Sequence, residues 1–313
     1  MNRGSTPAPR GAHWALTGLT STALVLTGCT LTPPVAAPSK EDPVLGHIHA
    51  VDYDPATRRT YASAHNGVWL VPTDDLPDSY PAGDTGPDIA TQIAGRAQDT
   101  MGFTVARPGL LLGSGHPDPA QQTQQDPPNL GLISSVDGAE TWMPVSLRGE
   151  TDFHDLEAVE LDDGQLRIYG HDAADATILV SDDSGKTWDR MPSVQARDLA
   201  VDPQRPARLY ATTAEGLLRS DDAGATFTPV SGAPALFLVT ITDAGAIIGI
   251  DVEGVIHTFD GTTWTAHGRT DGTPEAFAYV DGAAPWLLIA DQRGLVATED
   301  YGDTATILLP MAD

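Results

Sequence analysis

Apolar residues come along this chain in short runs, many of them alternating with polar ones, and each run is closed by Gly, Asp or Pro. A period of two puts every other side chain on one side of an extended backbone, so these runs predict half-buried antiparallel strands. In order they are HIHAVDYD, RTYASAH and GVWLV; MGFTVAR, GLLLGSGH and GLIS; HDLEAVEL, QLRIYGHD and TILVS; RDLAVDP, RLYATT and GLLRS; ALFLVTIT, AIIGID and GVIHT; EAFAYV, WLLIAD and GLVAT. No segment holds a 3.6-residue period long enough to predict a helix of consequence.

The groups repeat. An octet, SDDSGKTW at Ser181–Trp188, returns as SDDAGATF at Ser220–Phe227, and more loosely as SVDGAETW (135–142), TFDGTTW (258–264) and TEDYGDTA (298–305). The last positions of the five copies lie 46, 39, 37 and 41 residues apart. A unit of about 40 residues with several short strands is one blade of a β-propeller, which needs a neighbour on each side to bury its faces. The chain therefore predicts an all-β fold, a propeller of six four-stranded blades whose strands A to D follow in order, with the octet between C and D. The octet resembles the Asp-box, or BNR repeat, a hairpin turn found in sialidases, sortilin-like receptors and photosystem assembly factors. That resemblance implies structural roles for Asp137, Asp183, Asp222 and Asp300. It speaks to fold, because propellers carry many activities.

The rhythm breaks once, where Gly67 and Gly131 stand 64 residues apart. The excess falls in residues 72–89, a C-to-D connection without an octet, and in 117–129, the Pro-rich PDPAQQTQQDPPN. Both read as irregular loops. Two ring closures stay open: a last strand in TATILLP, or one from the N-terminal end.

Before the first strand, Arg3 and Arg10 precede an apolar stretch from Trp14 to Leu26, then Thr27, Gly28 and Cys29. This pattern predicts a secretory signal peptide over residues 1–28, with a core too short to span a membrane as a helix. LTGC resembles a bacterial lipobox, which implies lipidation of Cys29, the chain's only cysteine. Residues 29–43 then form the lipidated cysteine and a flexible tether, and 44–313 a single propeller domain on the outer face of the cytoplasmic membrane. Removing 1–28 leaves 15 basic against 43 acidic residues, a charge of −28. Nucleic acid is excluded as a partner, and a soluble monomeric domain is expected. Two lysines against 15 arginines suggest a high-GC genome.

The histidines carry the candidate chemistry. In a blade, strand A begins on the face where strand B ends. His47, His49 and His154 begin A strands, and His65, His116 and His171 end B strands, so all six share one face near the channel. Asp99, Asp118, Glu157 and Asp172 join them by the same reasoning, and the octets fall on the opposite face. Such a set suits a divalent metal, with His47, His49 and His116 as ligands. It equally suits a glycan or protein ligand, or glycoside cleavage with Asp99, Glu157 or Asp172 as catalytic carboxylates. The histidines could also simply satisfy loop carbonyls at the channel mouth.

The segments holding these residues, GHIHAVDYDPATRRTYASAHNGVW, QDTMGFTVARPGLLLGSGHPD, DFHDLEA and YGHDA, resemble a family of actinobacterial Asp-box lipoproteins labelled glycosylhydrolase or exo-sialidase-like. The resemblance runs from Gly46 to Ala305 and implies a pocket built on those histidines. A sialidase would add an Arg-Ile-Pro motif and an arginine triad for the substrate carboxylate. No Arg-Ile-Pro occurs, and nothing selects three among Arg96, Arg107, Arg197 and Arg269.

Overall fold

The computed structural model describes residues 45–83, 89–282 and 284–310. The signal segment, Cys29 and the tether lie outside the described residues. No described helix is long and apolar enough to cross a membrane.

Twenty-four strands form six four-stranded antiparallel sheets, each continuous in the chain. Their first strands, Ile48–Asp54, Asp99–Arg107, Phe153–Glu160, Asp198–Val201, Leu236–Ile241 and Ala276–Val280, contact one another in sequence. The last also meets the first, which closes a six-bladed propeller around a central channel. Strand Thr306–Pro310 completes blade 6 by pairing with Gly294–Thr298, so the described residues close the ring without exchanging a strand.

Six separate apolar clusters make up the core, one in each seam between neighbouring blades. This corrects the expectation of half-buried strands. In the second strand of blade 6, Leu287 and Ile289 face blade 5, while Trp286, Leu288 and Ala290 face blade 1. Both sides are therefore dry, and the segment reads as an unbroken apolar run. Fourth strands such as Asp189–Ser193 are largely exposed and stay polar.

The octets form a repeated turn. Asp137, Asp183, Asp222 and Asp300 each accept the backbone N–H of the Thr four residues on at 2.8–2.9 Å and its hydroxyl at 2.5–2.7 Å. The leading Ser135, Ser181, Ser220 or Thr298 donates to the same carboxylate at 2.8 Å. Hydrogen bonds from the Thr187 hydroxyl and amide hold the Asp183 carboxyl down to about 2. Two successive residues in each turn are left-handed, Ser184 and Gly185 in one copy, Gly138 and Ala139 in another. Either position can thus take the glycine, which accounts for its displacement in SVDGAETW. Each turn also fastens a seam: Ser146 of blade 2 donates to the Gly185 carbonyl of blade 3 at 2.5 Å.

Blade 1 has no octet, and its C-to-D connection supplies the missing fastening. Tyr80 from that connection is 3% exposed, bonds the Thr60 hydroxyl, and sets its ring 5.8 Å from Trp286 of blade 6.

Candidate functional site

The histidine-bearing strand ends converge on one face, as the strand order requires. A bulge between Ile48 and Ala50 in the first strand puts the His47 and His49 rings 5.0 Å apart. His65 follows the adjacent strand end, its ring 4.4 Å from His49. Asp99, opening the first strand of blade 2, meets both: its Oδ1 lies 3.0 Å from His65 Nδ1 and 3.4 Å from His49 Nε2. Those two nitrogens are themselves 3.2 Å apart. Burial first, and then the neighbouring His65, push the His49 imidazole down to about 4.

A second group stands beside the first. Asp152 Oδ2 lies 3.1 Å from His154 Nε2 and 3.3 Å from His116 Nε2. Burial works against ionisation of Asp152, but the His154 hydrogen bond and the nearby imidazoles outweigh it and hold the carboxyl below its ordinary value. His116 Nδ1 also meets the Pro128 carbonyl at 3.1 Å, tying the long blade 2 loop to the site. On the other flank, Glu275 holds His47 Nδ1 at 2.9 Å and accepts the Ile48 N–H at 2.9 Å.

These groups border a cavity of about 480 Å³ lined by His47, His49, His65, His154, His171, Glu275 and Arg197. Arg197, from the entrance to blade 4, reaches across the channel mouth to donate to the Glu275 carbonyl at 3.1 Å, with its guanidinium 4.8 Å above the Phe237 ring. Of the four arginines that could serve a sialidase, Arg197 is the one that enters this cavity. Arg96 bonds the Glu140 carbonyl, Arg107 the Gly164 carbonyl, and Arg269 sits on the outer strand of blade 5. Among the described residues, no sialidase-like arginine triad forms in the cavity.

Adjoining that cavity, a space of about 190 Å³ in the channel is lined by several acids. Asp52, Asp155, Glu157 and Asp198 point inward and accept backbone N–H groups of Val105, Leu199, Val201 and Val239 at 2.7, 2.6, 3.2 and 2.6 Å. In each case the donor belongs to the next blade. Each acid keeps partial access to the channel while protein surrounds it, and burial pushes Asp52 up to about 6 and Asp198 up to about 7. Asp155 and Glu157 are raised well above the ordinary range by burial first and then by the neighbouring carboxylates.

Several expected members fall elsewhere. Asp118 organises the blade 2 loop, accepting from the amides of Ala97 and Ala120 and from the Gln121 side chain. Asp172 is 2% exposed and caps a turn through Ala174 N–H, with Arg190 at 3.7 Å. Both are short acids at turns, where their own backbone claims them. Glu157 reaches the channel rather than the histidines. His171 lines the cavity but meets the Val194 carbonyl at 3.1 Å, and burial lowers its imidazole. The expected metal set of His47, His49 and His116 is also redrawn: His65 and Asp99 join His49, while His116 belongs to Asp152.

Neither a family model nor a curated protein matches the sequence. Solved structures do. The chain is similar to a gluconolactonase of Xanthomonas campestris (TM-score 0.57, 13% identity, covering 80% of this chain and 85% of that one). It is also similar to a chain of a nidogen/laminin complex (TM-score 0.55, 12% identity, 78% and 89%). A third likeness is to the GH74 xyloglucanase of Xanthomonas campestris (TM-score 0.50, 16% identity, 84% and 45%). At these identities the likeness concerns the propeller fold alone.

Proposed function

We propose that this is an extracytoplasmic, lipid-anchored Asp-box propeller that binds a polar ligand in the cavity between His47, His49, His65, His154, Glu275 and Arg197. One observation carries the reading. Five histidines, the carboxylates of Asp155 and Glu275 and a guanidinium line one cavity of about 480 Å³, a volume suited to a small molecule or the end of a glycan or peptide. Donors and acceptors stand side by side there, so a ligand bearing hydroxyl or carboxylate groups finds both. The signal segment and Cys29 support a place on the outer face of the membrane. A glycan array and a peptide screen with the purified protein test the reading. Arg197→Ala and Glu275→Gln should each weaken the ligand found by about tenfold or more, the cost of one charged hydrogen bond. Unchanged affinity in both variants sinks the proposal.

Glycoside hydrolysis is the second reading, supported by Asp155 and Glu157, whose carboxyls burial raises well above the ordinary range, the direction a general acid needs. Turnover of fluorogenic glycosides that disappears in a folded Glu157→Gln variant would support it. A panel with no turnover removes it.

A further inference from the structure

We infer that His49, His65 and Asp99 bind one divalent transition-metal ion, with zinc as the representative, on the wall of the ligand cavity. The inference deepens the pocket reading and rests on it only for the cavity the ion would face.

Two features of the same three atoms carry it. The first is the shape of the donor set. His49 Nε2, His65 Nδ1 and Asp99 Oδ1 form a closed triangle with edges of 3.2, 3.0 and 3.4 Å. Ions with bonds of about 2.1 Å put neighbouring donors about 3.4 Å apart in a tetrahedron and about 3.0 Å apart in an octahedron. The triangle has the dimensions of one face of such a polyhedron. An ion at that bond length would sit about 1 Å outside its plane.

The second is a count of protons. Each of the two nitrogens carries at most one hydrogen, and that hydrogen can point at only one of its two neighbours. If both are protonated, both can donate to Asp99, but then the two N–H groups oppose each other across 3.2 Å. If only one is protonated, its hydrogen serves one contact and the other two have no hydrogen in them. Protons therefore cannot serve all three contacts, whereas a cation accepts all three lone pairs at once. The neighbouring Asp152 group serves as an internal comparison. There one carboxylate oxygen takes two histidines, at 3.1 and 3.3 Å, but the group does not close into a metal-sized triangle among the described residues. Ordinary hydrogen bonds suffice for it.

The donor types select the ion. Two imidazoles and one carboxylate favour zinc, copper, nickel, cobalt or ferrous iron over magnesium and calcium, which take oxygen. Three protein ligands on one side leave the remaining positions open. His65 is half exposed and borders the cavity, so those positions face a space that admits water or a ligand oxygen. His47, held by Glu275, flanks the triangle with its ring 5.6 Å from that of His65.

The test uses the full-length chain in detergent, stripped with a chelator and titrated with zinc by calorimetry, with elemental analysis of the product. The expected result is one ion per chain at micromolar affinity or tighter. His65→Ala and Asp99→Asn should each weaken zinc by at least about a hundredfold, since even losing a partner that only orients a ligand costs about tenfold to a hundredfold. His267→Ala, on the outer strand of blade 5, should leave it unchanged. Cobalt bound in place of zinc should give visible absorption that His65→Ala abolishes; where that variant fails to fold, His65→Gln replaces it. No stoichiometric zinc, or equal affinity in a folded His49→Ala/His65→Ala variant, overturns the inference. The pocket reading fails separately. Zinc bound as described with no effect of Arg197→Ala or Glu275→Gln on any ligand sinks that reading alone, while ligand binding indifferent to chelation, with no zinc bound, sinks the metal site alone.

Discussion

Single residues in this propeller do two kinds of work with the same side chains. An inward acid on a first strand gives an oxygen to the next blade's backbone, so the channel wall is stitched by Asp52, Asp155, Glu157 and Asp198. The stitching has a pH signature. Asp198 starts from 3.8 in the unfolded chain and rises to about 7 when folded, so the folded state binds more protons between those values. Its stabilising contribution is complete below about pH 4 and is lost as pH climbs through about 7. Asp198→Asn keeps an oxygen for Val239 N–H and cannot ionise. It should raise stability by about 1–3 kcal/mol at pH 8 and by little at pH 4, measured by urea denaturation at both. Equal effects at the two pH values would refute the ionisation argument. In HDLEAVEL the alternation shows Asp155 and Glu157 on one side, but not that the next blade's amides wait for them. Strand order alone grouped His47, His49, His65, His116 and His154, because a chain reversal fixes which strand ends share a face. Asp152 and Glu275 were missed. Glu275 lies far along the chain in blade 6 and becomes a neighbour of His47 only because the ring closes.

At the scale of elements, the octet is a seam fastener. A Cβ on Gly185 would stand 2.2 Å from Leu132 Cδ2 of blade 2, and its φ of +85° disfavours any other residue. Gly164 has φ +78°, but a Cβ there would meet no atom within 4 Å, so it isolates the backbone effect. Gly185→Ala should therefore cost about 1–2 kcal/mol more than Gly164→Ala in thermal or urea unfolding. A matching loss in both variants would leave the seam contact without energetic weight. Tyr80 does the equivalent work for blade 1. Tyr80→Ala should destabilise by about 3 kcal/mol, and Tyr80→Phe, which keeps the ring against Trp286 and loses only the Thr60 bond, by about 1 kcal/mol in the same measurement. The residue 72–89 connection thus holds a structural anchor that its irregular, Pro-rich sequence does not advertise.

At the scale of the whole molecule, the anchor and the ring set different expectations. If Cys29 carries lipid, Cys29→Ala should move the protein from the membrane fraction to the soluble fraction without changing its unfolding midpoint, read by fractionation and circular dichroism. Retention at the membrane would remove the lipid-anchor reading. The blade count, the strand order and the shared histidine face came from the sequence by itself, since a 40-residue period and alternating polarity are local and repeat. Only the tertiary structure decided how the six seams divide the apolar residues, which loop closes blade 1 onto blade 6, and which acids meet which histidines. Those outcomes depend on contacts between residues more than 200 positions apart, Ile48 and Glu275, 227 apart, among them, and a local pattern holds no record of such pairs until the ring brings its two ends together.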